Sequence, residues 1–299
     1  MSASSKSRSN TCPGAVSPDW QKLLARIERG TILVTGGPGH NELARYLLGQ
    51  LDRVLSRVAL VDAGLGRPTV GVPACLGLAL TRPWRAPEAL WFVGEVDPRR
   101  RPLPTVVGAA RLAEQARKKG AQAVIVDGGD PAGDPEGREV QLHLALAAGV
   151  DQVVAVSRNG ELTALARALE APHRRLHRVP AAPETRRPSP EEVDSYRQGR
   201  FEAHFHNARV RRFGFDKVIR RRPEDTDDEL RPGRLVGLIG GDGRCLALGV
   251  IDKLGSDHLA LLTACDKQSE VRRIETGGLE LDPSSWAGHE PSPGEESPD

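Results

Sequence analysis

Uninterrupted apolar runs, each closed by glycine or an acid, alternate in the first half of this chain with stretches in which leucine and alanine recur every three or four positions. The runs are "TILVTGG", "RVALVDAGLG", "EALWFVGEV", "AQAVIVDGGD" and "DQVVAVSR". Between them lie "NELARYLLGQL", "PTVVGAARLAEQARKKG", "GREVQLHLALAAGV" and "GELTALARALE". The runs have no polar alternation, so they predict strands buried on both sides, and the intervening periodicity predicts amphipathic helices. Strand–helix alternation of this kind predicts an α/β fold, a parallel sheet with helices on both faces. "SPDWQKLLARIERG" predicts a helix before the first strand, opened by Ser17-Pro18 and closed at Gly30.

The pattern changes after Ala171. From there to Arg222 the chain carries 14 Lys and Arg against 6 Asp and Glu, with prolines throughout. "RLVGLIGGDGRCLALGVIDKLGSDHLALLTAC" then gives short apolar strands separated by glycine-rich turns, a hairpin pattern. The predicted organisation is an unstructured Ser-rich stretch at 1–17, an α/β domain over 18–222 with an Arg-rich lid segment near 171–222, a small C-terminal β domain over 223–282, and an unstructured acidic tail at 283–299.

Composition narrows the partners. The net charge is +2, so the chain as a whole creates no strong field and nucleic acid must be met by a local patch. Such patches are the 171–222 stretch, extended by the arginine runs Arg99 to Arg101 and Arg220 to Arg222. Cys12, Cys75, Cys245 and Cys265 are widely spaced, which argues against a zinc site or disulfide framework and for a reducing cytoplasm. His173 with His177, and His204 with His206, have ligand-like spacing, but no third ligand accompanies them and no metal site is assigned. No apolar run approaches the roughly 20 residues that span a bilayer. Trp84 and Trp91 flank the third run and read as core or rim.

Ligands of open α/β sheets collect at the carboxyl ends of the strands. Three strands deliver "GGPGHN", "DAGLGR" and "DGGD" to that edge. The first has the look of a phosphate loop, in which backbone amides and a helix N-terminus cradle phosphate oxygens. Gly36, Gly37, Gly39, His40 and Asn41 are the candidate cradle. The usual form ends in lysine and a hydroxyl, G-x-x-x-x-G-K-[ST]. With Gly36 as the first glycine, Asn41, Glu42 and Leu43 occupy the places of the second glycine, the lysine and the hydroxyl. Registered on the helix instead, the loop is about two residues short. Neither register supplies the lysine.

Several stretches resemble the RNA polynucleotide 5′-hydroxyl kinases of mRNA, tRNA and ribosomal RNA processing. "VALVDAGLGRPTVGVPACLGLAL" is similar to their D-x-D-x-G-Q-P-x-x-G-P-P stretch, "LWFVGEVDPRRRPLPTVVGAARLAEQA" to their F-V-G-x-x-x-P segment and following helix, and "AVIVDGGD" to V-D-T-T-G. "VVAVSRNGELTALARAL", the lid-like "SYRQGRFEAHF" and "GLIGGDGRCLALGVIDKL" follow in the same order, so the resemblance runs from about Gly30 to Asp282. It implies a P-loop fold, ATP and Mg²⁺, and transfer of the γ-phosphate to an RNA 5′-hydroxyl. In that scheme Asp62 is the catalytic acid, Asp127 the metal-organising acid, and Arg197 and Arg200 the lid arginines. Arg67 stands where the family has glutamine and is a candidate replacement clamp. Three readings follow: a kinase with an altered loop, a catalytically dead nucleic-acid- or protein-binding scaffold, and an accessory P-loop NTPase. The second is favoured because three clamp positions have changed together.

Overall fold

Five parallel strands form the centre of the fold, in the order β7 (Arg175–Pro180), β6 (Gln152–Ser157), β1 (Gly30–Gly36), β5 (Ala123–Asp127) and β2 (Val58–Asp62). The structure is a computed structural model and describes residues 17–80, 87–130, 134–158, 160, 162–181, 185–219 and 230–283. Residues 1–16 and 284–299, where the Ser-rich stretch and acidic tail are expected, lie outside the described residues, as do Cys12, Trp84 and Arg220 to Arg222.

Successive residues of a strand point to opposite faces, and β1 divides its apolar side chains accordingly. Ile32 and Val34 join the core under α1 (Pro18–Leu24) and α2 (His40–Leu51). Leu33 joins the core on the other face, under α3 (Pro102–Lys118), α4 (Pro135–Ala147) and α5 (Thr163–Leu169). Helices therefore cover both faces, as the runs predict. The first helix is shorter than its sequence suggests, and Gly30 opens β1 rather than closing α1. The chain there is held to the start of β6: the Thr31 amide donates to Asp151 Oδ2 at 2.8 Å, and Gln152 Nε2 donates to the Glu28 carbonyl at 3.0 Å.

Beyond β2 the sheet becomes mixed. β3 (Cys75–Ala79), which the sequence pattern does not announce, runs antiparallel to β2. β4 (Ala89–Phe92), the expected parallel third strand, runs antiparallel to β3. No helix lies between β2 and β3 to carry the chain back across the sheet, so it returns in the opposite direction. Trp91 of β4 packs on α3 at Gly108, where a Cβ would overlap the indole ring.

The C-terminal strands are β8 (Arg209–Gly214), β9 (Val218–Ile219), β10 (Arg234–Ile239), β11 (Cys245–Leu254), β12 (His258–Thr263) and β13 (Arg273–Glu280). β8, β12, β11, β10 and β13 pair antiparallel in that order, and β9 lies parallel to β13. β8 comes from the Arg-rich stretch, so this module draws in chain from upstream of residue 222. One register pair, Cys245 with Leu90, joins β11 to β4 and makes a continuous 13-stranded sheet. α6 (Pro190–Phe205) begins with a capping box between Ser189 and Glu192. Its Phe201 and Phe205 pack with Val72, Phe92, Leu248 and Leu262 across that junction.

Candidate functional site

Parallel register sets Asp62 directly beside Asp127 at the carboxyl ends of β2 and β5, a spacing of about 4.8 Å between backbones. Both are nearly buried, at 2% and 5% exposure. Asp62 organises the loop that follows it. Its Oδ1 accepts from the Gly64 amide at 2.9 Å, and its Oδ2 accepts from the amides of Thr69 and Val70. Burial, then the adjacent Asp127, push its carboxyl up to about 7, outweighing the three amide bonds. Burial also raises Asp127, against the opposing pull of His40 and the Gly129 amide.

The glycine loop is short. β1 ends at Gly36 and α2 begins at His40, leaving Gly37, Pro38 and Gly39 between them. Gly39 is the N-cap at φ 99°, a conformation in which a side chain is strained. With the helix fixing the register, His40 and Asn41 stand where the phosphate-loop motif has lysine and hydroxyl. The Gly36 and Gly37 amides donate to the carbonyls of Gly129 and Val156, at 3.0 and 2.9 Å. Those two glycines are tied into the sheet and do not line the cleft. Among the described residues, the Gly39 and Asn41 amides have no acceptor. Thr185 lies over Gly39 and donates to the Pro38 carbonyl at 3.2 Å. His40 bridges loop and acid: Nδ1 lies 3.0 Å from the Gly37 carbonyl, and Nε2 lies 3.4 Å from Asp127 Oδ1. Nδ1 donates to that carbonyl, which leaves Nε2 facing the Asp127 carboxyl.

These residues border a cleft of about 930 Å³. Its other walls are the β2–β3 loop, Val96 to Arg99, Asp130, Asp134, Gln141 and Thr185 to Pro188. Lining cations are mostly committed. Arg99 forks onto Asp97 and reaches Asp134 at 3.3 Å; Arg186 pairs with Glu192; Arg187 pairs with Asp130 at 2.8 Å. Arg67 instead stacks on the Tyr196 ring at 5.4 Å and makes no ion pair among the described residues. No lysine is among the lining residues.

The lid arginines face elsewhere. Arg197 Nε donates to the Gly66 carbonyl at 3.1 Å, Arg200 donates to the Gly71 carbonyl, and the Tyr196 hydroxyl donates to the Pro68 carbonyl at 2.6 Å. All three fasten α6 to the loop that wraps Asp62. Much of the remaining Arg-rich stretch is also engaged: Arg174 holds the carbonyls of Val150 and Leu169, and Arg175 pairs with Glu28. Arg209 and Arg212 stay exposed on β8. The cleft residues Gln141 and Thr185 carry no sequence signal. Asp134 does, through the Asp-Pro start of α4, where its carboxylate accepts from the Gly137 amide at 2.7 Å. Among the described residues, no group of three or more His, Cys, Asp or Glu is arranged to hold a metal ion. No helix among them is long and apolar enough to cross a membrane.

The family profile for the mRNA cleavage and polyadenylation factor CLP1 P-loop matches residues 38–207, more than half of the chain. The chain belongs to this family. It is similar to the polyribonucleotide 5′-hydroxyl-kinase of Pyrococcus horikoshii, 25% identical over 207 residues that cover 67% of this chain and 56% of that relative. The corresponding kinase of Thermococcus kodakarensis is 24% identical over 313 residues, covering 84% of this chain and 88% of the relative. Two solved structures of Clp1p with Pcf11p share the fold at a TM-score of 0.64, with 10% and 11% identity. They cover 88% of this chain and 78% and 77% of theirs.

Proposed function

We propose that this chain is a member of the RNA 5′-hydroxyl-kinase group in which phosphoryl transfer from ATP is lost or nearly so, and which serves RNA processing by binding. One observation carries the reading: the paired acids Asp62 and Asp127 lie beside a loop with only two unengaged amides and His40 in the lysine's place. A triphosphate with Mg²⁺ does not fit this donor set. The loop offers few donors, Thr185 covers Gly39, Asp62 already accepts three amides, and most lining guanidinium groups are paired. Loss of one charged clamp typically costs such chemistry about 10²–10³ in rate.

RNA would meet the exposed arginines of the 171–222 stretch, Arg209 and Arg212 on the edge strand β8 foremost. A protein partner is part of the reading by analogy with Clp1p and Pcf11p. Three buried free cysteines are consistent with a reducing cytoplasm. The test is labelling of a 5′-hydroxyl oligoribonucleotide from ATP, beside an RNA-retention assay across salt concentration. The expected result is no labelling above that of Asp62→Asn, with retention that falls steeply as salt rises. Efficient labelling abolished by Asp62→Asn overturns the reading.

The unpaired Arg67 at the cleft favours one second reading, an ATP-dependent kinase in which Arg67 replaces the loop lysine as clamp. Calorimetric ATP binding with Mg²⁺, tighter than about millimolar and lost in Arg67→Gln, selects it.

A further inference from the structure

The outer edge of β8 is open. Among the described strands, only β12 pairs with it, and no other described group bonds to the backbone of Arg209–Gly214. An edge of this kind presents a row of unpaired N–H and C=O groups, a template for a further strand. Its side chains alternate, with Arg209 and Arg211 on one face and Val210 and Arg212 on the other. Arg209, Val210 and Arg212 are exposed, and Arg211 is half-buried. None of the arginines makes an ion pair or a side-chain hydrogen bond among the described residues, and Arg211 Nε is closed to solvent without an acceptor. Asp257, which lies in the field of Arg212, is held by His258 at 2.7 Å. β8 therefore combines an unused backbone edge with uncompensated positive charge.

That combination selects an occupant. A second copy of β8 would set arginine against arginine, and like charges on facing strands destabilise a pair. An RNA backbone offers oxygens to the arginines, but it does not alternate donors and acceptors at strand spacing. Single-stranded nucleic acid also gains from aromatic platforms for its bases, and Phe213, the one Phe, Tyr or Trp on β8 and β12, is buried. An extended peptide supplies both backbone donors and acceptors, and carboxylates along it make charge-assisted bonds to the guanidinium groups. We propose that β8 takes up an extended acidic segment of a partner protein as an added strand. This locates the protein partner of the reading above and sets it in competition with RNA for Arg209 and Arg212. The proposal rests on that reading only in taking the chain to act by binding.

The test is fluorescence anisotropy of the full chain with a labelled, end-blocked peptide of alternating glutamate and valine at low salt. Its comparators are the lysine counterpart, the same acidic peptide N-methylated at every amide, and labelled oligouridylate. Saturable binding of the acidic peptide is expected, with the lysine peptide silent and the N-methylated one weakened at least about tenfold. Arg209→Gln combined with Arg212→Gln should weaken the acidic peptide about five- to tenfold, while circular dichroism confirms that the variant is folded. The N-methylated comparison needs no variant and stands whether or not the double variant folds. Equal binding of the two acidic peptides, binding undiminished in the folded double variant, or no binding of the acidic peptide overturns the proposal. Oligouridylate binding that depends on Arg209 and Arg212, with the acidic peptide silent, assigns β8 to RNA and leaves the reading above standing. A dimer in sedimentation that the acidic peptide dissociates assigns the edge to a second copy and overturns the proposal. Affinity for the peptide that rises tenfold or more when Glu290, Glu295 and Glu296 are changed to Gln assigns it to this chain's own acidic tail and does the same. Labelling of a 5′-hydroxyl RNA from ATP, with the acidic peptide bound as expected, defeats the non-catalytic reading alone.

Discussion

Replacing Asp62 by asparagine should flatten one component of the chain's pH–stability curve. In the folded chain this carboxyl ionises at about 7, against 3.8 without the fold, because burial and Asp127 disfavour its charge. A carboxyl raised in this way adds stability that is fully present below pH 3.8 and is lost as pH rises through about 7. Across that window, at about 1.4 kcal/mol per pH unit, the loss amounts to about 4 kcal/mol. His204 works in the opposite direction. Burial, with the nearby Arg200 charge, lowers it from 6.5 to about 4, so its contribution is present above 6.5 and lost as pH falls through 4. The two slopes offset each other in the wild type, and the informative quantity is the difference between wild type and variant. In Asp62→Asn the side-chain oxygen can still accept from Thr69 and Val70, but the new NH₂ opposes the Gly64 amide. That opposition should destabilise the variant by about 1–3 kcal/mol at low pH. Urea unfolding followed by far-ultraviolet circular dichroism, from about pH 4 to about pH 7, gives both curves. The wild-type advantage should shrink with rising pH and vanish or reverse near neutrality. An advantage that is constant, or that grows with pH, refutes the argument.

Three further outcomes follow from the packing. His204→Gln should behave as the mirror case: the wild-type advantage over it, from the same unfolding series, falls as pH drops below about 6.5. Gly108→Ala drives a methyl into the Trp91 ring and should cost about 1–3 kcal/mol in urea unfolding, with a changed tryptophan near-ultraviolet signal. Tyr196→Phe removes the donor to the Pro68 carbonyl and should cost about 1 kcal/mol by the same method; no change would mean that α6 is not fastened through that bond.

Much of the central sheet was legible because its strands bury both faces. "AVIVD" and "VALVD" are apolar up to their final acid, and that acid marks the strand end to which ligands come. Direction was not legible. β3 and β4 bury their residues as fully as parallel strands do, and only the missing crossover helix reveals their sense. β7 and β8 escaped because each has a single strand neighbour and a largely polar surface, so their arginines mask the pairing. Asp62, Asp127 and His40 could be found from their positions after strands. Gln141 could not, since a lone glutamine within a helix gains meaning only from its hydrogen bond to the Gly128 carbonyl, 13 positions away. Arg197 and Arg200 read as phosphate ligands because their spacing puts them on one helix face; their carbonyl acceptors lie about 130 positions away in sequence and leave no local trace.

The single register pair at Leu90 and Cys245 makes the thirteen-stranded sheet unequal along its length. Cooperative opening should divide there, so amide protons in β10 to β13 and those in β1, β2 and β5 should exchange with deuterium as two groups. α6 touches both, through Phe201 and Phe205 on one side and Tyr196, Arg197 and Arg200 on the other. A protease cut between β7 and α6 would therefore loosen the wrapping of Asp62 while leaving every parallel strand in place.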